Sequence, residues 1–449
     1  VLLDLAYLLL VMAALPWVAW RRRLGGRPVA APWQRFTGSI PPLPEPAGRR
    51  RVWLHGVSVG EVQLLASLAG ELRRQTVSAG EPVECVASSS TTTGLALAQE
   101  RFGRERVFPC PLDFTWAVTR TLRRVQPDLL LLGELELWPN LLAAAARHGV
   151  PVVVANARMS ERSFRGYRRI APVARRMLGR LSLVAARSEA DAGRFRDLGA
   201  HDVTVTGSLK FDGVAGDRAA PEVATLRSLA GIGLGTPVFL AGSTQDPEER
   251  LALATFRDLA DEHPSLRLVI VPRHVERADE IGSMLDRSGL AWRRRSRLAR
   301  EGGEPPARVL LVDTTGELAW WWGTATIAFV GGSLDGRRGG QNMLEPAAYG
   351  AAVCFGPHTR NFRDEVRLLL AADAARVVAD GPALTAFVAR CLRETSWAAE
   401  LGTRAAALVA SHRGSTAQTA RLALARLPAE SPWVEDRAAG RPPRRAGTC

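Results

Sequence analysis

Carboxylates, hydroxyls and glycines recur in this 449-residue sequence directly after short apolar runs, where a fold would present them to a ligand. The first such place is His55-Gly56-Val57-Ser58-Val59-Gly60-Glu61. A loop there exposes backbone N–H groups, and Glu61 could deprotonate a substrate hydroxyl as a general base. Equally, Glu61 could complement the positive end of a helix that Ser58 caps. The polar run from Ser88 to Gly94 suits a phosphate or a sugar, or else a turn that caps the next helix. In Gly133-Glu134-Leu135-Glu136-Leu137-Trp138-Pro139-Asn140, Glu134 and Glu136 flank the end of a very apolar stretch. Charge there is costly unless it is used or paired, and arginines are plentiful enough to pair it. Lys210, in Gly207-Ser208-Leu209-Lys210-Phe211-Asp212, could steady negative charge on a leaving phosphate or a sugar carboxylate, or be solvated surface.

The second half offers nucleotide chemistry. Val271-Pro272-Arg273-His274 closes an apolar run, and the planar fork of Arg273 suits phosphate. Asp313-Thr314-Thr315-Gly316-Glu317 closes the next. Gly331-Gly332-Ser333 and Gly339-Gly340-Gln341-Asn342-Met343-Leu344-Glu345-Pro346 let backbone approach a ligand closely. A helix starting near Asn342 would offer its positive end to phosphate, and Glu345 could accept two vicinal ribose hydroxyls. Other chemistries are set aside. Gly231-Ile232-Gly233-Leu234-Gly235 precedes a strand and lacks the last glycine of a dinucleotide fingerprint. No Walker motif occurs, and the seven histidines lack metal-ligand spacing. Five cysteines, far apart and odd in number, suggest neither zinc nor a disulfide framework and fit a reducing compartment.

The elements that must position these residues follow from the apolar runs. Residues 52–55, 83–87, 129–132, 152–155, 183–186 and 203–206 are predicted as buried parallel strands. The stretch 62–74 between the first two has helical spacing. After a weak Gly, Ala, Asp and Pro region, a second set follows at 238–241, 266–271, 309–312, 327–330 and 353–355. The expectation is α/β, with two doubly wound, Rossmann-like domains at 51–215 and 236–425 and ligands in the crevice between them.

The first twenty residues are apolar except for Asp4, and Arg21, Arg22 and Arg23 follow. As a helix they would measure ~30 Å, about one bilayer core. Residues 1–20 are therefore expected to anchor the chain in a membrane, spanning it or lying in its interface. The charge after the run puts the remainder on the cytoplasmic side. Residues 21–50 are expected to be a linker and 428–449 a disordered tail. The net charge of +14 favours anionic partners: phosphate groups, acidic lipid headgroups or nucleic acid. No module or aromatic-plus-basic stripe supports nucleic acid, and none is expected.

Taken in order, these motifs resemble the 3-deoxy-D-manno-octulosonic acid (Kdo) transferases of lipopolysaccharide synthesis. The resemblance runs from the N-terminal segment to about residue 425. It includes Asn156-Ala157-Arg158-Met159-Ser160-Glu161-Arg162-Ser163 and Phe355-Gly356-Pro357-His358 besides the clusters above. It implies a GT-B glycosyltransferase at the cytoplasmic face of the inner membrane, held near an anionic lipid surface. It further implies an inverting, metal-independent displacement with no cofactor, in which a lipid A precursor hydroxyl attacks the anomeric carbon of CMP-Kdo. By this resemblance Glu61 is the general base, and Glu134 or Glu136 with Lys210 stabilises the transition state. Pro272, Arg273, Thr315, Gly316, Glu317, Asn342, Met343, Leu344 and Glu345 would hold CMP, and no residue a metal. Gln341 stands where the family has His, Met343 where it has Pro and Thr315 where it has Met, so donor affinity is open to change. The rival readings are another GT-B enzyme using a UDP-sugar, and a non-catalytic two-domain binding protein.

Overall fold

The computed structural model describes residues 3–9, 12–13, 31–298 and 307–434. Its chain divides into two units: one holds residues up to Gly213 and from Gly414 onward, the other Val214–Arg413.

The first unit is a seven-stranded, all-parallel sheet in the order β3-β2-β1-β4-β5-β6-β7. Its strands are β1 (Arg51–His55), β2 (Glu84–Ser89), β3 (Val107–Pro109), β4 (Leu129–Gly133), β5 (Val152–Ala157), β6 (Leu183–Ala186) and β7 (Val203–Val205). The strands from β1 to β6 are buried along their whole lengths, because helices cover both faces of a parallel sheet. Helix Val59–Ser78 leaves the end of β1 and buries Val62, Leu65, Leu68, Ala69 and Leu72 against the sheet. Each such leucine stabilises by about 1.5–3 kcal/mol.

The second unit is another seven-stranded parallel sheet, in the order β10-β11-β9-β8-β12-β13-β14. Its strands are β8 (Val238–Thr244), β9 (Arg267–Pro272), β10 (Trp292–Arg294), β11 (Val309–Leu311), β12 (Ile327–Val330), β13 (Ala352–Phe355) and β14 (Arg376–Val377). In each sheet the strand order reverses beside the unit's first strand, between β1 and β4 and between β8 and β12. Parallel α/β sheets open a ligand crevice at the carboxyl ends of such strands.

Every expected strand is present. Three others, β3, β10 and β14, were not expected. Two lie at sheet edges in the second unit and one at the edge of the first, and each has only two or three residues.

Several expected boundaries move. The segment 216–235, read as a break between domains, belongs to the second unit. There Arg218 donates to the carbonyls of Tyr349, Gly323 and Ala325 at 2.7, 2.8 and 2.6 Å, and helix Pro221–Leu229 buries Val223 and Leu226. At its other end this unit stops at Arg413 rather than 425. Helix Ser415–Leu424 returns to the first unit, where Ala420 and Ala423 join the core beside Val52 and Leu54. The tail expected to be disordered is ordered as far as residue 434. Trp433 is buried, donates to the Pro127 carbonyl at 2.8 Å and stacks on His148; residues 435–449 lie outside the described residues. The expected linker is folded from residue 31: Arg35 donates to the carbonyls of Cys110 and Ser90, and Ile40 and Leu43 pack on the core.

Of the expected anchor, residues 1, 2, 10, 11 and 14–20 lie outside the described residues. Residues 3–9 and 12–13 are helical. Among the described residues no helix is long and apolar enough to cross a membrane.

Candidate active site

In the first unit the expected catalytic residues gather at the reversal of strand order. Ser58 caps helix Val59–Ser78 by accepting from the Glu61 amide, and its hydroxyl donates to Glu61 Oε1 at 2.8 Å. Glu61 Oε2 accepts from the Val57 N–H at 2.9 Å. The pair is reciprocal like a capping box, except that Glu61 takes the N–H of Val57, one residue before the Ser58 cap, and it fixes the carboxylate at the mouth of the sheet. The same carboxylate is thus structural and in place to act. The letters Gly56-Val57-Ser58-Val59-Gly60 also spell the nucleophile elbow of serine hydrolases. Ser58, however, has an ordinary extended backbone (φ −96°) and its hydroxyl serves Glu61, not a histidine.

Directly opposite lies the end of β4. A Cβ on Gly133 would stand 3.5 Å from Glu61 Oε2, so the glycine leaves the carboxylate room. Glu134 follows in the left-handed region at φ 50°, held there by its N–H on the Ala155 carbonyl. A side chain in that conformation costs about 1 kcal/mol or more, and such strain gathers at functional sites. Burial, and then the charge of Glu61, push the Glu134 carboxyl up, against the pull of Arg187, Lys210 and Arg158. Glu136 is pushed up to about 7, first by burial, then by Glu61, while the Trp138 indole N–H bonded at 3.1 Å opposes the rise. Three carboxylates are therefore close enough to repel, which adds to burial in raising the β4 pair.

Lys210 comes from the end of β7. Asn156, itself at φ 54°, accepts from the Leu209 N–H at 3.1 Å, and Asp212 accepts from Gly414 and Thr416 of the returning helix at 2.6 and 2.5 Å. The residue between is thereby fixed on both sides. Lys210 is also the sole lysine among the 59 basic residues of the sequence, a signal the motif alone does not carry. Arg158 and Arg187, which face Glu134 electrostatically, were not anticipated in the site. The Ser88–Gly94 run is used for the fold. Thr91 caps helix Thr92–Phe102, and the Ser89 and Thr91 hydroxyls donate to the Val57 carbonyl at 3.1 and 2.7 Å, shaping the Glu61 loop from behind.

In the second unit the carboxylate of Glu345 accepts from Asn342 Nδ2 and from the Trp322 indole N–H, each at 3.1 Å. Burial pushes its carboxyl up, and the charge of Arg273, exposed just past β9, pulls it down. Asn342 also accepts from the Leu344 N–H at 3.1 Å. The helix that follows, Leu344–Ala348, is only five residues long, so its dipole is a weak anion trap compared with the expectation. Pro272, Met343 and Leu344 are buried and shape the loop from beneath. Glu317 is held by Arg295 through two bonds of 3.0 and 2.8 Å, with Thr314 and Trp321 also donating. Its carboxylate is committed to the fold. What this turn presents outward is the exposed backbone of Thr315 and Gly316, the latter at φ 83°. Trp322 is the contact that sequence reasoning missed, since nothing in a run of three tryptophans tells which one faces Glu345.

Comparison with known proteins gives the family and the fold. Residues 20–213 match the family model described as 3-deoxy-D-manno-octulosonic-acid transferase (kdotransferase). A curated 3-deoxy-D-manno-octulosonic acid transferase of Bordetella pertussis is 36% identical over 428 residues, covering 91% of this chain and 95% of that one. Another, of Haemophilus influenzae, is 34% identical and covers 73% of this chain and 74% of its own length. Among solved structures, a glycosyltransferase of Rickettsia africae aligns with TM-score 0.52 at 10% identity, covering 85% of this chain and all of its own. That likeness concerns the fold, two doubly wound domains of the GT-B glycosyltransferase kind.

Proposed function

Given that the chain belongs to the 3-deoxy-D-manno-octulosonic acid (Kdo) transferase family, the glycosyltransferases of lipopolysaccharide synthesis, we propose that it moves Kdo from CMP-Kdo to a hydroxyl of the lipid A precursor. The observation that carries this reading is the grouping of Glu61, Glu134, Glu136 and Lys210 at the strand-order reversal of the first sheet. Glu61 takes the proton of the acceptor hydroxyl. The freed oxygen bonds the anomeric carbon of Kdo as the bond from that carbon to the phosphate oxygen breaks, and CMP departs with the electron pair. One displacement inverts the anomeric centre. Negative charge that grows on the leaving phosphate and resides on the sugar carboxylate is met by Lys210, Arg158 and Arg187, so the proposed step needs no metal. On the donor side Glu345, braced by Asn342 and Trp322, takes the ribose hydroxyls. Arg273 and the backbone of Thr315 and Gly316 take the rest of the nucleotide.

The proposal places the enzyme against the cytoplasmic face of the inner membrane. What supports this is the N-terminal helix. Asp4 and Tyr7 face inward, to Thr115, Asn140 and Asp113 at 2.8, 3.2 and 3.2 Å, while Leu5, Leu9 and Met12 are 55–64% exposed at helical spacing. Exposed Ile170 and Val173 lie among Arg168, Arg169, Arg175 and Arg176, a mixture suited to an anionic lipid surface.

The test is incubation of the full chain with CMP-Kdo and a tetra-acylated lipid A precursor, read by mass spectrometry. Product heavier by whole Kdo residues is expected. Glu61→Gln should cut the rate by about 10²–10⁴ while CMP still binds. No mass gain with an active donor refutes the reading, and competition by UDP but not CMP would turn it to a UDP-sugar enzyme.

A further inference from the structure

At the strand-order reversal of the second sheet, between the ends of β8 and β12, stands a carboxylate that the reaction above does not use. Glu248 is 2% exposed and opens helix Glu248–Ala260. Its Oε2 accepts from the N–H groups of Gln245 and Gly332 at 3.0 and 2.7 Å. Its Oε1 accepts from those of Ser333 and Leu334 at 3.0 and 3.2 Å. Four backbone amides thus converge on one side chain. Such a nest would otherwise draw an anion from solution.

The amides belong to the loop on which the nucleotide side of the unit is built. Gly332, at φ 65°, accepts from the Gly340 N–H at 2.7 Å, which ties this loop to the segment leading into Asn342. Ser333 accepts from Gly356 through its hydroxyl at 2.8 Å and from His358 through its carbonyl at 3.0 Å. Gly331 must be glycine, since a Cβ there would come within 2.7 Å of Glu248 Oε2 and 2.6 Å of the Thr244 backbone. One carboxylate therefore sets the path of a loop that joins the ends of β8, β12 and β13 to Asn342 and Glu345.

We propose that Glu248 is a positioning residue for the donor: by filling the amide nest it fixes the Gly331–Leu334 loop and keeps phosphate out of it. The nucleotide is thereby directed to the neighbouring Gly339–Glu345 segment. This inference rests on the nucleotide reading of that segment. A glutamine at 248 keeps the volume but turns an NH2 group toward two N–H donors, so the loop loses its hold. In the full chain Glu248→Gln should raise the donor KM and the CMP dissociation constant by about tenfold or more. The acceptor KM should remain near that of the parent, while the melting temperature falls by a few degrees because two buried N–H groups lose their acceptor. Gly332→Ala, strained at its positive φ, leaves the carboxylate in place but disturbs the loop that it holds, and should give the same signature; it decides the matter if Glu248→Gln does not fold. A folded variant with unchanged donor KM and CMP affinity overturns the proposal. So does a fall in kcat alone with both KM values unchanged, which marks a merely structural role. If the parent itself fails to bind CMP, the nucleotide reading falls first and this inference with it.

Discussion

Lys210 offers the sharpest residue-scale test, because it is the one lysine in a sequence whose other strongly basic side chains are all arginine. An ammonium is a compact point charge on a flexible stem, whereas a guanidinium is a wider planar fork. If a compact charge is what the leaving phosphate requires, Lys210→Arg should lose about tenfold or more in kcat while keeping the charge and the fold; parent-like turnover would show that any cation suffices. Glu136 yields a pH prediction. Its folded pKa, about 7, lies above its ordinary value of 4.5, so the folded state holds the proton more tightly. The stabilisation is complete below pH 4.5 and is lost as pH rises through 7. Glu136→Gln, which cannot ionise, should gain on the parent across that window. Solvent screening at this half-buried site leaves roughly 1 kcal/mol, or about 2–4 °C in melting temperature at pH 8 relative to pH 5. A gap independent of pH would mean the carboxyl titrates normally.

Elements were legible where the chain advertises them through burial. The central strands β1, β4, β5, β8, β9 and β12 are continuous apolar runs, because both faces of a parallel sheet are covered, and all were readable. The edges were not. In β10 the residues are Trp292, Arg293 and Arg294, half-exposed, and pairing with a single neighbour imposes no apolar pattern on them. Of the proposed catalytic residues, Glu134 and Glu136 could be found in the sequence because they come at the end of a very apolar strand, and Glu61 and Lys210 because each lies in a Gly- and Ser-marked motif a few residues past one. Glu248, Arg187 and Trp322 could not, since their significance comes from partners 84, 53 and 23 residues away. The returning helix Ser415–Leu424 was equally invisible, for its alanine-rich face says nothing about which unit it covers. Asp212 holds its first turn through two N–H bonds, so Asp212→Ala should cost about 1–2 kcal/mol in a urea titration. Because that helix packs on Val59–Ser78, transfer activity should fall together with stability. Intact stability would mean that the caps are made good by water.

For the whole molecule, the proposed attraction to anionic partners rests on charge. A net +14 carried mainly by arginine attracts anionic surfaces over about a Debye length, ~10 Å at 0.1 M salt. Binding of the full chain to vesicles containing anionic lipid should therefore weaken as salt rises. Arg168→Glu with Arg169→Glu should weaken it further at low salt, by about 1 kcal/mol or more per charge. Binding indifferent to both would leave the apolar face of Leu5, Leu9 and Met12 as the dominant contact.

The first unit is finished by residues that lie two hundred positions beyond its body: Ala420 and Ala423 close its core, and Trp433 seals Pro127. A ribosome working from the amino end must therefore make all of Val214–Arg413 before the helix bearing Glu61 receives its last support. The second unit, continuous in the chain, can fold while the first still waits. A product terminated after Arg413 would carry every proposed catalytic side chain and yet leave the back of their scaffold open, and should be less stable than the full chain.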